Sequence, residues 1–357
     1  MARCLQLALC GRYGAAPNPM VGAVVVHNGR IVGEGYHIRC GCPHAEVNAI
    51  GCVADDGMLR ASTLYVSLEP CAHWGRTPPC ADLIIRKGIR RVVVGCVDPF
   101  EKVAGRGIRR LHDAGIEVVT GVLEDRCLWL NRRFFTFHTL HRPYVTLKWA
   151  ESADGFIDAA RVGNVGRGYV ISTSFTRMLV HRVRSFNQAV LVGRRTALLD
   201  NPQLTNRLWA GPQPLRLVID RRGCLPKELC LFNGESPARV YIDKGAAEPS
   251  YGERGGVTCV RLDFGGDVLR QIMGDLSKLG VLSLLVEGGR ETIEGFMEAG
   301  LWDEVRIERS AVRLGGGVAA PRRPVGRSCA YSADGHEIIR IFSPQNRFAT
   351  CVIRNKG

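Results

Sequence analysis

Short apolar runs alternate along the chain with segments of helical period. "VGAVVV" (21–26) and "RIVGEGY" (30–36) are joined by His27-Asn28-Gly29, and two β-prone runs across an Asn-Gly pair predict a hairpin. "HAEVNAIGCV" (44–53) reads as a helix, "TLYVSLEP" (63–70) as a buried strand and 81–87 as a helix. "RVVVGCVDP" (91–99) reads as a strand, 108–114 as a helix and "IEVVTG" (116–121) as a strand. The opening "MARCLQLALC" predicts an amphipathic helix ending near Gly11. Strands alternating with helices predict an α/β sandwich with a partly parallel sheet.

A basic, aromatic and partly helical stretch, "LEDRCLWLNRRFFTFHTLHRPYV" (123–145), comes next, with a junction at His141-Arg142-Pro143. A second series starts at "YVTLKWAESADG" (144–155). It continues through a helix at 173–184, strands at 188–193, 215–220, 238–243 and 257–263, a helix at 268–279, a strand at 281–289, a helix at 292–299 and a strand at 302–310. The 357 residues therefore predict two α/β domains, 1–141 and 142–357. No Gly-x-Gly-x-x-Gly follows an early strand of the second series, so a Rossmann unit is not expected there.

Composition narrows the classes. Hydrophobic content of 46% supports two real cores. No apolar run approaches the roughly 20 residues that cross a bilayer, and the N-terminal stretch has no cleavage site after a long apolar core. The expectation is a cytoplasmic protein with no membrane partner. A net charge of +14, spread without a block of like charge, suits small phosphate-bearing ligands at least as well as nucleic acid. Fourteen cysteines are scattered rather than dense, unlike a secreted disulfide scaffold, and most read as small buried apolar residues.

Three short motifs carry chemistry: "HAE" (44–46), "EPC" (69–71) and "PPC" (78–80). His44, Cys71 and Cys80 offer one imidazole and two thiolates. Three protein ligands with an open fourth position are the arrangement of a catalytic zinc. Glu46 lies two residues past His44. That step is about 200° mid-helix, but at a helix entrance both side chains can converge. An unligated Glu beside the metal can take a proton from water and deliver it to a departing amine. His-x-Glu followed by Pro-Cys matches the zinc deaminase signature, whereas the second cysteine follows after eight residues rather than two. A structural zinc would recruit Cys40 or Cys42 as fourth ligand, and a redox pair would want Cys-x-x-Cys opening a helix. "LLVEGGRETIEGF" (284–296) is an apolar strand, an acid, a Gly pair and a helix, a weak anion-binding signal by itself.

Taken together, "PNPMVGAVVV" (17–26), "GEGYH" (33–37), "PHAE" (43–46), "SLEPCAHWGRTPPCAD" (67–82) and "VAGRGIRRLHDAGIEV" (103–118) resemble the bifunctional pyrimidine deaminase/reductases of riboflavin biosynthesis, the RibD/RibG family. "PYVTLKWAESADG" (143–155), "VGRRTALLDNPQLTNR" (193–207) and "VEGG" (286–289) resemble the same family's reductase half. The resemblance covers nearly the whole chain. It implies a cytidine-deaminase-like three-layer domain that uses Zn2+, followed by a dihydrofolate-reductase-like domain that uses NADPH. It further implies a homo-oligomer acting on a free phosphorylated pyrimidine. Nucleobase deaminases acting on RNA usually keep the two-residue cysteine spacing, so a nucleic-acid deaminase with a basic accessory domain is the rival, and a non-catalytic zinc module a further one.

By that resemblance Asn18, His37, His73, Arg76 and Asp98 line the deaminase pocket. Arg76 suits a phosphate and Asn18 a pyrimidine edge. Thr196, Asp200, Gly288, Gly289, Arg290, Glu291 and Thr292 fall at the nucleotide. Arg184, Leu204, Arg207 and Glu287 fall at the reductase substrate, with Lys148 beside them. The chain departs from the family pattern at Phe100, Gly168, Val170 and Arg221; Arg221 could meet the extra phosphate of NADPH.

Overall fold

A computed structural model of the chain describes residues 1–74, 78–98, 104–160, 168–252 and 255–349. The chain divides into two compact units, Met1–His141 and Arg142–Gly357. The first runs α1 (Ala2–Cys10), β1 (Gly22–His27), β2 (Arg30–Tyr36), α2 (Ala45–Gly51), α3 (Asp56–Arg60), β3 (Thr63–Val66), α4 (Cys80–Arg86), β4 (Arg91–Val94), α5 (Arg106–Asp113), β5 (Glu117–Val119), α6 (Glu124–Leu130) and α7 (Arg132–Leu140). Its sheet has the order β2-β1-β3-β4-β5, antiparallel around β1 and parallel from β3 to β5. The β1–β2 hairpin turns through Asn28 and Gly29, at φ 47° and 74°, the paired left-handed conformation that a two-residue turn demands.

Successive residues of β1 point to opposite faces. Ala23 and Val25 join Ala45, Ala49 and Ile50 of α2, Ala81 and Ile84 of α4 and Leu111 of α5 in one core. Val24 packs against Cys4 and Leu7 of α1 on the other face. Helices on both sides of a mixed sheet make the three layers. Gly35 of β2 sets α2 close to the sheet: a Cβ there would lie 2.5 Å from the Ala45 carbonyl oxygen and 2.4 Å from the Ala49 nitrogen. Only glycine allows so near an approach of strand and helix backbone.

The second unit runs β6 (Tyr144–Glu151), β7 (Phe156–Asp158), α8 (Ser174–Ser185), β8 (Ala189–Gly193), α9 (Arg194–Asp200), β9 (Leu215–Ile219), β10 (Ala238–Asp243), β11 (Val257–Leu262), α10 (Val268–Lys278), β12 (Ser283–Val286), α11 (Arg290–Glu298), β13 (Glu304–Arg309), β14 (Val318–Ala319), β15 (Arg327–Ala333) and β16 (His336–Phe342). The main sheet has the order β11-β10-β9-β8-β12-β6-β13-β16-β15. It is parallel from β11 to β13 and antiparallel from β13 to β15. Ala189, Leu191, Leu284 and Val286 pack with Ile272, Leu276, Ile293 and Phe296 of α10 and α11. Val190, Val192 and Leu285 face Ala197, Leu204 and Phe232 on the opposite side. Burial on both faces explains why these strands read as unbroken apolar runs.

The strands predicted over 63–70, 91–99 and 281–289 end at Val66, Val94 and Val286. The residues beyond leave the ladder and form connections at the carboxyl ends of parallel strands, where ligands of open α/β sheets bind. Outside the predicted set lie α3, α9, the short β7–β14 pair and the β15–β16 hairpin. The hairpin turns through Asp334 and Gly335, at φ 53° and 76°, so the Asp-Gly pair in "YSADGHEIIRIF" was its signal. No described helix is long and apolar enough to cross a membrane.

Candidate active sites

In the first unit, His44 is the N-cap of α2, in extended backbone conformation, and Glu46 lies in that helix's first turn. The helix entrance thus brings both residues to one place, although a mid-helix pair at this spacing would diverge. Cys71 follows the end of β3, and Cys80 is the first residue of α4. The Cys71 and Cys80 sulfurs lie 3.5 and 3.4 Å from His44 Nδ1. The ligand atoms of all three residues lie within 4.8 Å of one another. One imidazole and two sulfurs so arranged fit a tetrahedral Zn2+ with a fourth position open. Cys40 and Cys42 line the same cavity but do not join the cluster.

The sulfurs are prepared for a cation. The Cys80 thiol, with His44, holds Cys71 down at about 4 despite burial, and the Cys80 backbone N–H donates to Cys71 Sγ at 3.3 Å. Cys80 is correspondingly pushed up by its neighbour and by burial; a bound dication keeps both as thiolates. Glu46 is only 3% exposed. Burial pushes its carboxyl up to about 7, the Cys71 charge adds to this and His44 opposes it. A carboxyl that titrates near neutrality is suited to accepting and returning a proton.

His44, Glu46 and Cys71 line a cavity of about 430 Å³ together with Asn18, His37, His73 and Asp98. Asn18 Nδ2 donates to His37 Nε2 at 3.1 Å, and His37 Nδ1 donates to the Pro43 carbonyl at 3.2 Å. Both ring nitrogens are thereby committed, and burial lowers the His37 pKa, so the ring is a neutral prop for Asn18. Arg76 and Phe100 lie outside the described residues. Phe134 and His138 of α7, one turn apart with rings 4.3 Å apart, also line the cavity. Their i, i+4 spacing within "NRRFFTFHTL" was the available signal, and the partly helical stretch 123–145 thus contributes to the cavity wall. Asn131 joins the same region to the "PNPM" segment, exchanging hydrogen bonds of 2.8 and 2.9 Å with the Met20 backbone.

The second unit has a larger cleft, of about 1310 Å³, at the carboxyl ends of β6, β8, β9 and β12. Lys148, Thr196, Asp200, Glu287 and residues 288–292 line it, as do Gly168, Val170 and Arg221. Gly289, at φ 69°, is the N-cap of α11, so backbone N–H groups at that helix start face the cleft. Arg177, Arg194, Arg195 and Arg290 add positive charge to the wall. A basic cleft of this size with a glycine-rich helix entrance fits a phosphorylated dinucleotide such as NADPH.

Arg184, Leu204 and Arg207 are not on that wall. Arg184 stands behind it, donating to both Glu287 oxygens at 2.7 Å and to the Thr205 carbonyl at 3.0 Å. Leu204 is buried in the core, and exposed Arg207 donates to Thr205 Oγ1 at 2.6 Å. Burial opposes ionisation of Glu287, but Arg184, with Lys148 and His181, outweighs it and lowers the pKa. Lys148 projects from the face of β6 opposite Val145, Leu147 and Trp149. Burial lowers its pKa against the opposing charges of Glu287 and Glu308.

The two units define a class, zinc-dependent deaminases fused to NADPH-dependent reductases, and comparison with known proteins narrows it. Residues 1–96 match the cytidine and deoxycytidylate deaminase zinc-binding region, and residues 143–326 match the RibD C-terminal domain. The riboflavin biosynthesis protein RibD of Aquifex aeolicus is 39% identical over 322 residues, covering 89% of this chain and 88% of that protein. The Escherichia coli RibD is 35% identical, covering 88% of each. The crystal structure of a deaminase/reductase from Thermotoga maritima is 36% identical and covers 96% of this chain and 97% of that one, with a TM-score of 0.84. The chain belongs to the RibD family of riboflavin biosynthesis, bifunctional enzymes with a deaminase and a reductase domain.

Cys80→Ser should release zinc during dialysis that the unaltered protein survives, because an alcohol replaces a thiolate poorly. Metal analysis reads the result, and full retention would put Cys40 or Cys42 in the ligand set.

His181 yields a pH dependence. Its Nδ1 accepts from the Arg207 amide at 2.9 Å and the Leu208 amide at 3.4 Å. Burial, then the charges of Arg184 and Arg207, push it down to about 4, below the ordinary value of about 6.5. The unfolded chain then binds more protons between these values, so the stability is present above pH 6.5 and is lost as pH falls towards 4. Thermal unfolding of the second unit should move down across that window. His181→Asn, whose Oδ1 can accept the same amides, should flatten the dependence.

Proposed function

We propose that the first unit hydrolytically deaminates 2,5-diamino-6-(5-phosphoribosylamino)pyrimidin-4(3H)-one. The second then reduces the ribosyl group of 5-amino-6-(5-phosphoribosylamino)uracil to a ribityl chain with NADPH. The observation that carries this reading is the His44, Cys71 and Cys80 cluster at a cavity that His44 and Cys71 line together with Glu46. The Thermotoga maritima protein, whose description gives a diaminohydroxyphosphoribosylaminopyrimidine deaminase and a 5-amino-6-(5-phosphoribosylamino)uracil reductase, supports it.

His44, Cys71 and Cys80 would hold zinc, which would supply the Lewis acidity that makes water a nucleophile near neutral pH. A Glu46 carboxylate oxygen takes a proton from that water and returns it to the departing amine. Asn18, propped by His37, turns its amide oxygen to the pyrimidine edge, His73 and Asp98 contact the substrate, and Arg76 meets its phosphate. NADPH supplies the hydride for the second reaction. Thr196, Asp200 and residues 288–292 would hold the nucleotide, and Arg221 would meet its extra phosphate. Lys148 and Glu287 hold the substrate so that ribose C1′ lies in near-attack range, roughly 3–3.5 Å. Arg184 fixes Glu287, and Leu204 and Arg207 shape the adjoining substrate segment. The same reading makes the protein a cytoplasmic homo-oligomer, which sedimentation tests for assembly.

Incubation with the diaminopyrimidine phosphate should release ammonia without NADPH, and the reduced product should form only with it, both followed by mass. Deamination of RNA instead would overturn the substrate assignment. Glu46→Gln should retain zinc and lower ammonia release by at least about 100-fold, with reduction of supplied deaminated intermediate unchanged.

Asp200→Asn and Glu287→Gln should each impair reduction of the deaminated intermediate and leave ammonia release intact. Folded variants with wild-type kcat and KM would mean that Asp200 only ends α9 and Glu287 only pairs with Arg184.

A further inference from the structure

Glu69 stands two residues before the Cys71 ligand, on the wall of the first cavity, and is 4% exposed. Its position suggests a substrate contact, but its hydrogen bonds point elsewhere. Oε1 accepts from the Gly107 and Ile108 amides at 2.9 and 3.2 Å, and Oε2 accepts from the Gly105 and Asp98 amides at 2.9 and 3.2 Å. A carboxylate offers about four lone-pair sites, so these four amides leave none for a ligand. Gly105 is the N-cap of α5, and the carboxylate therefore satisfies first-turn donors that this helix cannot satisfy itself. A second contact closes the same joint: a Cβ on Gly107 would lie 1.9 Å from the Pro70 carbonyl oxygen. The α5 backbone thus rests directly on the turn that carries Cys71. The Glu69 backbone N–H meanwhile donates to the Cys96 carbonyl at 3.0 Å.

We infer that Glu69 is a positioning residue for deamination, clamping the Cys71 turn to the connection that presents Asp98 and to the start of α5. It touches neither substrate nor metal. Through one side chain it sets the spacing between a metal ligand and the substrate-side wall, so it governs both zinc retention and substrate fit. The inference rests on the deaminase reading for its kinetic part only.

Glu69→Gln is the test. The amide oxygen can still accept two N–H groups, but the NH2 puts donors against the other two. Four readouts are taken on the full chain: amide exchange at Asp98, Gly105, Gly107 and Ile108, zinc loss to a chelator, deaminase kcat and KM, and reductase turnover. Exchange at those amides should quicken, and zinc loss and deaminase kcat/KM should worsen by about 10- to 100-fold, the range seen for outer-shell partners of metal ligands. Reductase turnover should stay within about twofold of the unaltered protein, because its residues belong to the other compact unit. Gly107→Ala, which pushes the joint apart and leaves the carboxylate in place, should reproduce the pattern. Leu111→Ala, a core truncation on the same helix, serves as a control for general loss of stability.

Wild-type zinc retention in Glu69→Gln would overturn the inference. So would losses in zinc retention and deamination no larger than those of a Leu111→Ala protein of equal thermal stability. If the unaltered chain released no ammonia from the pyrimidine substrate, the functional reading would fail, and amide exchange and zinc loss would still decide the role of Glu69.

Discussion

Two sulfurs that would both have to be thiolates to hold zinc sit beside a buried carboxyl, and the first unit is organised around making that arrangement tolerable. Thiolates and a carboxylate repel, and burial penalises every one of them. The fold answers with donors. α2 and α4 both start at the cluster, so the positive ends of two helix dipoles face it, and the Cys80 amide points at the Cys71 sulfur. The small residues Ala45, Ala49 and Ala81 let α2 and α4 pack in one core against the sheet. A cation completes the balance, which is why this donor set suits a metal better than a disulfide or a redox pair.

The second unit solves a related problem with side chains. Glu287 and Arg184 form a two-pronged pair, with side chains 7% and 12% exposed. Removing one partner of such a pair leaves a buried charge alone, at a cost of about 3–5 kcal/mol. The pair is consequently both a structural joint and a way of holding a carboxylate in a fixed direction at the cleft. Lys148 lies between Glu287 and Glu308, and Glu308 is itself held by Ser172 at 2.8 Å and by His336 at 2.8 Å. His336 comes from the C-terminal hairpin, so an element far from the glycine-rich loop in sequence contributes to the electrostatics around Lys148.

Much of this was legible in the residue order. The apolar periods marked most strands and helices, the Asn28-Gly29 pair marked its hairpin, and "HAE", "EPC" and "PPC" marked the metal cluster, because ligand chemistry restricts residue type and helix entrances restrict spacing. The places where reading by pattern fell short share a cause. Strand ends depend on partners across the sheet, and Phe134 and His138 reach the cavity only through the packing of α7. Arg184, Leu204 and Arg207 group with the cleft by motif, yet their side chains lie behind or away from its wall.

The sequence by itself determined the candidate metal donors, the two-part α/β organisation and the family, since these rest on residue chemistry and local periodicity. Only the tertiary structure decided which polar groups remain available to a ligand. Glu69 belongs to a motif of the metal centre, but all its acceptor capacity goes to amides 29 to 39 residues away. A carboxylate can bind a ligand or brace a backbone with the same lone pairs, and which it does is set by the donors that folding brings within about 3 Å of it.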